Sequence, residues 1–96
     1  MCGIVGIFGR VPVAERIVYA LTAVQHRGQD AAGVVTFDGR FRLRKGRGLV
    51  ADVFREPKDI ADLQGNVGLG HTRYATQGST EVLDAQPFTM SYPFGL

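Results

Sequence analysis

Cys2-Gly-Ile-Val-Gly-Ile-Phe-Gly9 decides how this chain is read. The run is apolar and β-branched, which marks a buried strand beginning at the second residue. Pro12 suits the first turn of a helix. Beyond it Val13, Ile17, Leu21 and Val24 recur at i, i+4, i+8 and i+11, one apolar stripe of an amphipathic helix. His26 and Arg27 place cations where a helix ends, and Gly28 fits a left-handed cap. Gly33-Val-Val-Thr-Phe37 and Arg40-Phe-Arg-Leu-Arg44 flank Asp38-Gly39, a strong hairpin signal. In the second of these strands Phe41 and Leu43 share one face, and Arg40, Arg42 and Arg44 share the other. Leu49 to Leu63 predicts a helix in two pieces, divided near Pro57. Asn66 to Tyr74 returns to strand character, Ala75 to Gln86 is a polar loop, and Met90 to Leu96 looks like the approach to another strand.

Ninety-six residues make one domain at most. With 45% hydrophobic and 21% charged residues, composition excludes disorder, collagen and coiled coil. Thirteen glycines point to turns and close backbone approaches rather than a helical bundle. A net charge of +2 does not call for nucleic acid. The run Arg40, Arg42, Arg44, Lys45, Arg47 reads as a solvated strand face before it reads as a phosphate surface. One cysteine makes no intramolecular disulfide. The first apolar run is too short for a membrane span, and no basic region precedes it as in a signal peptide. The expected compartment is cytoplasmic. Glycine-rich phosphate motifs are missing, and Cys2, His26 and His71 lack metal-ligand spacing. The apolar ending reads as a fragment of a longer domain.

Three places carry chemistry. A lone cysteine beside a buried strand is ordinarily a small core hydrophobe. Position 2 changes that reading, because methionine aminopeptidase removes Met1 when a small residue follows. The mature chain then starts at Cys2, with thiol and free α-amine on one residue. That amine titrates near ~7.7–8.0, so it can act as general base at neutral pH. Nucleophile and base are tethered, which supplies their positioning in advance. If Met1 stays, the amine is blocked and the base is lost. The second place is Gly70-His-Thr-Arg-Tyr74: Arg73 is either a solvated strand-end charge or a fork for a substrate carboxylate, and His71 is expected to be structural. The third is Gln25-His-Arg-Gly-Gln-Asp-Ala-Ala-Gly33, a helix end, a turn and a strand start.

Taken in order, Met1-Cys-Gly-Ile-Val-Gly-Ile7, Gln25 to Gly33, Gly70 to Tyr74 and Ala85-Gln-Pro-Phe88 resemble the class II glutamine amidotransferase domain, an N-terminal nucleophile (Ntn) hydrolase. The resemblance covers the whole chain, so residues 1–96 are expected to be a partial domain of this kind. Within the family, His-Arg-Gly-Gln-Asp-Ala-Ala-Gly, Arg-Leu-Arg-Lys followed by Gly48-Leu-Val, and Ala-Gln-Pro-Phe are similar to the branch that delivers ammonia to phosphoribosyl pyrophosphate. Glucosamine-6-phosphate synthase, the alternative branch, has Tyr-Arg-Gly-Tyr-Asp-Ser-Ala-Gly and Arg-Trp-Ala-Thr instead.

The resemblance implies an α+β, four-layer αββα fold, here only its N-terminal portion. It implies Cys2 as the catalytic nucleophile on glutamine, and Arg73 as the group that binds the glutamine α-carboxylate. Tyr74 and Thr76 belong to the loop over the substrate, and Arg27 and Gly28 to the turn beside the nucleophile. It further implies that the oxyanion-hole Asn-Gly and the acidic residue for the α-amino group lie past Leu96. The phosphoribosyltransferase domain and its Mg²⁺ are absent from this stretch, and an iron–sulfur cluster, carried by some relatives, would draw on cysteines further on. Alone, the stretch is expected to be a very poor glutaminase. The complete enzyme is expected to be a homo-oligomer acting in the first step of purine synthesis. A different class of function remains beside it: a non-catalytic assembly module that pairs through exposed sheet edges.

Overall fold

The computed structural model describes residues 2–74 and 85–90. Strand β1 (Gly3–Phe8) leads through residues 9–13 to helix α1 (Ala14–Val24) and a short 3-10 turn at Gln25–Arg27. Strands β2 (Ala31–Phe37) and β3 (Phe41–Arg47) form the hairpin, with Gly39 at φ +100° in its turn. Two short helices, α2 (Val50–Val53) and α3 (Pro57–Ala61), precede β4 (Val67–Arg73). Pro57 begins the second of these helices, where its missing N–H costs nothing. Asp52 and Asp59 accept the backbone N–H groups of Leu49 and Glu56 at 2.9 Å each, so a carboxylate caps each short helix. Gln25 adds a third cap: its Oε1 accepts from the Val50 amide at 2.7 Å.

All four strands pair antiparallel in the order β1-β4-β2-β3. The described residues therefore supply one antiparallel sheet and one helix layer, the N-terminal portion of an α+β Ntn fold. The helices cover a single face. Val13, Ile17 and Leu21 of the predicted stripe are fully buried there, joined by Val34, Val50 and Val53. The β4 positions beneath α1 are Gly68 and Gly70. A Cβ on Gly70 would lie 2.6 Å from Ile17 Cγ2, and one on Gly68 2.6 Å from Ile17 Cδ1. Absent side chains let the helix sit close to the sheet.

The alternation in β3 is present and Arg44 stays exposed as expected, but the arginines stand on the side of the sheet that carries the helices. Arg42 and Arg44 lie on the helix side, level with Thr36 and Val34 of β2. Arg44 donates through Nε to the Val53 carbonyl at 2.7 Å and approaches the buried Asp59 carboxylate at 3.3 Å. Arg42 pairs with Asp38 at 3.1 Å. Phe41 and Leu43 face away from the helices and stay about 40% exposed. The sheet face without helices is thus the apolar one, with Ile4, Phe8, Phe37 and Leu69 also partly open. Residues 85–90 return across it. Between them and β2–β4 lies a cavity of about 420 Å³, lined in part by Val35, Phe37, Leu69 and Phe88. The expected strand approach after Met90 falls on residues 91–96, outside the described residues.

Truncating Ile17 to alanine removes the side chain that fills the space above both glycines. The expected cost is about 2–5 kcal/mol of folding stability, read as a lower urea midpoint of the full-length protein. A loss below about 1 kcal/mol would contradict this packing.

Candidate active site

Antiparallel register builds the site from the two ends of the described strands. Gly3 stands opposite Thr72, and Ile4 opposite His71. One residue further, Cys2 comes level with Arg73 at the end of β4. On its other side Arg73 is opposite Ala31 of β2, and Ala31 is opposite Arg47 of β3. By alternation, Ile4, His71 and Arg73 belong to the face without helices, at its polar end. The Tyr74 amide donates to Cys2 Sγ at 3.4 Å. Cys2 is half-buried, Arg73 is 8% exposed, and Tyr74 remains open to solvent. A half-buried thiol beside a nearly buried guanidinium suits a substrate with an electrophilic carbonyl and a separate carboxylate.

Arg27 and Gly28 act on the backbone of this site rather than on its thiol. Arg27 Nε donates to the Cys2 carbonyl at 3.2 Å and so fixes the chain start. Gly28 is not the left-handed cap expected of it: φ is −166° and ψ 124°, an extended conformation open to any residue. What demands glycine is proximity. A Cβ there would lie 2.6 Å from the Arg73 carbonyl carbon and 2.8 Å from the Thr72 oxygen. The turn locks against β4 two residues later, where the Asp30 amide donates to the Arg73 carbonyl at 3.0 Å. Thr76 lies outside the described residues.

His71 is buried, as expected of a structural histidine, yet its Nδ1 has no hydrogen-bond partner among the described residues. Thr72 Oγ1, on the opposite face, shares that condition. Burial lowers the His71 pKa below its ordinary 6.5, and the neighbouring Arg73 charge lowers it further. Among the described residues no three His, Cys, Asp or Glu side chains gather into a metal site. No helix among them is long and apolar enough to cross a membrane.

No protein-family model matches the chain. The curated amidophosphoribosyltransferase of Haemophilus influenzae is 59% identical across the whole chain, and that of Escherichia coli 56%. The chain belongs to the amidophosphoribosyltransferase family. An archaeal amidophosphoribosyltransferase, from Methanothermobacter thermautotrophicus, is 48% identical over 98% of the chain. Solved structures agree in fold. The glutamine phosphoribosylpyrophosphate amidotransferase of Bacillus subtilis, complexed with ADP and GMP, superposes with a TM-score of 0.82 over 96% of the chain. A structure described as the allosteric regulatory enzyme of purine biosynthesis gives 0.87 over 97%; both are 32% identical. The chain spans about one fifth of the length of the curated amidophosphoribosyltransferases it matches, corresponding to their N-terminal portion.

Lys45 was read in the sequence only as part of a basic run, although it lies with Gly33 on the uncovered face, one row from Arg73. A glycine inside a strand was the available signal, since it marks a place where another backbone comes close.

The lowered His71 pKa has a consequence for stability. The unfolded chain binds a proton at this imidazole more readily than the folded one, so stability rises with pH. The contribution is complete above about 6.5 and falls as pH drops below it. Replacing His71→Gln should flatten the denaturation midpoint between pH 7 and 5 relative to the unaltered protein. An equal slope in both would mean that other groups carry the dependence.

Proposed function

We propose that this chain forms the nucleophile-bearing part of a glutaminase site, in an amidophosphoribosyltransferase that hands the released ammonia to phosphoribosyl pyrophosphate. The observation that carries the reading is the Tyr74 N–H on Cys2 Sγ, with Arg73 level with that thiol across the β1–β4 pairing. Once Met1 is removed, the α-amine of Cys2 takes the thiol proton. The sulfur attacks the side-chain carbonyl of glutamine, and the tetrahedral intermediate collapses as the amine returns the proton to the leaving nitrogen. Ammonia departs and a γ-glutamyl thioester remains. Water, deprotonated by the same amine, then cleaves the thioester to glutamate and restores the thiol.

Arg73 grips the α-carboxylate of glutamine through paired hydrogen bonds and holds the carboxamide at the sulfur. Arg27 steadies the residue that carries both nucleophile and base, through the Cys2 carbonyl. Tyr74 would stand on the substrate side of the site, and the family resemblance gives Thr76 a role near the substrate. An oxyanion hole and a partner for the glutamine α-amino group would come from the remaining length that the relatives possess. The phosphoribosyl-transfer half would lie there too, with its Mg²⁺, as would the contacts of a homo-oligomer. The product would be phosphoribosylamine, at the first step of purine synthesis, in the cytoplasm.

A glutamine-like diazoketone should add covalently to Cys2 of the full-length protein, seen as a mass increase on a peptide that starts at Cys2. Cys2→Ala should lose glutamine-dependent turnover and keep turnover with free ammonia. Arg73→Ala should raise the glutamine KM by about 10–100-fold, the cost of a charged hydrogen-bond pair. Retained glutamine turnover in Cys2→Ala would refute the assignment.

A further inference from the structure

Residues 85–90 cross the uncovered sheet face as a strap, and Lys45 fastens it. Lys45 Nζ donates to the Ala85 carbonyl at 2.8 Å and to the Pro87 carbonyl at 3.5 Å. The same ammonium lies 4.8 Å from the centroid of the Phe88 ring. No carboxylate of the described residues pairs with it. Ala85 is fully buried and Pro87 is buried beside it. Beneath the strap, Gly33 leaves the space: a Cβ there would run into the Gln86 carbonyl oxygen and lie 2.9 Å from Pro87 Cδ. Lys45, Gly33 and His71 occupy one row across β3, β2 and β4, and Arg73 stands in the next. The strap therefore divides the polar end, with Cys2 and Arg73, from the apolar cavity.

We propose that Lys45 is a positioning residue for the glutamine site, acting through Ala85–Phe88; this rests on the glutaminase reading. Lys45 fixes the Ala85 and Pro87 carbonyls over the row beside Arg73, so the strap borders the end of the sheet that holds Cys2 and Arg73. Lys45 touches neither the thiol nor Arg73 in this arrangement. Its loss therefore weakens the hold on glutamine and leaves the chemical step nearly as it was.

The test is made on the full-length protein. Lys45→Met keeps the aliphatic stem and removes the charge. It should raise the glutamine KM roughly tenfold, with kcat changed less than about twofold. Lys45→Arg should restore most of the KM. Gly33→Ala, which lifts the strap from the sheet side, should move KM in the same direction. Alkylation of Cys2 by iodoacetamide should proceed at the unaltered rate in Lys45→Met, and amide exchange at residues 85–88 should accelerate. An unchanged KM, or unchanged exchange at 85–88, would overturn the role of Lys45. If the unaltered protein fails to take the diazoketone at Cys2, the glutaminase reading falls instead, while the exchange experiment still judges the strap.

Discussion

The pairing of β1 with β4 is the constraint on which the rest depends. It joins the first strand of the chain to the last described one, over six residue pairs from Gly3–Thr72 to Phe8–Val67. Because side chains alternate with a period of two, this register alone brings Cys2 level with Arg73. A slip of one residue would turn Arg73 toward α1 and expose the buried Thr72. Everything else near the site serves the register. The Gly28–Asp30 turn docks on the carbonyls of β4, Arg27 ties down the Cys2 carbonyl, and α1 presses onto Gly68 and Gly70 from the far side.

The two faces of the sheet divide the work of folding and chemistry. On the helix side, small residues in β4 and a buried apolar stripe in α1 pack closely, with the buried hydroxyls of Thr36 and Thr72 on the same sheet face. The opposite face grades along the strands. At one end stand Cys2, Arg73, His71 and Lys45; at the other stand Phe8, Val67, Phe37 and Phe41. A nearly buried guanidinium and an imidazole in adjacent rows repel a second positive charge, and the imidazole answers by staying neutral.

What was legible in the sequence was local or periodic. The α1 stripe, the Asp38-Gly39 turn and the start of a helix at Pro57 each rest on residues within a few positions of one another. The conspicuous misreading at Gly28 has a physical cause. Glycine is selected both by a positive φ and by a close neighbour, and only the fold tells which; here the neighbour is the Arg73 carbonyl. The arginines of β3 are solvated in part as expected, yet they share the helix side, because alternation defines two faces without saying which one the helices will cover. Cys2 was singled out by its place at position 2 and Arg73 as a strand-end charge or carboxylate fork; the family resemblance then implied a role for each. Lys45 was hidden in a basic run, though its odd number, shared with Arg47, sets it on the face opposite Arg42 and Arg44.

The same long-range pairing has a consequence in time. β1 acquires its partner only after residue 72 has left the ribosome, and synthesis at roughly 5–20 residues per second makes that a matter of seconds. For those seconds the chain start has no strand to pair with among the described residues. On the proposed mechanism, Met1 is most readily cut away in that interval, before Cys2 is enclosed between Arg27 and Tyr74. The catalytic base would then be made by processing during synthesis, and the order of events at the ribosome would decide how much of the protein is ever active.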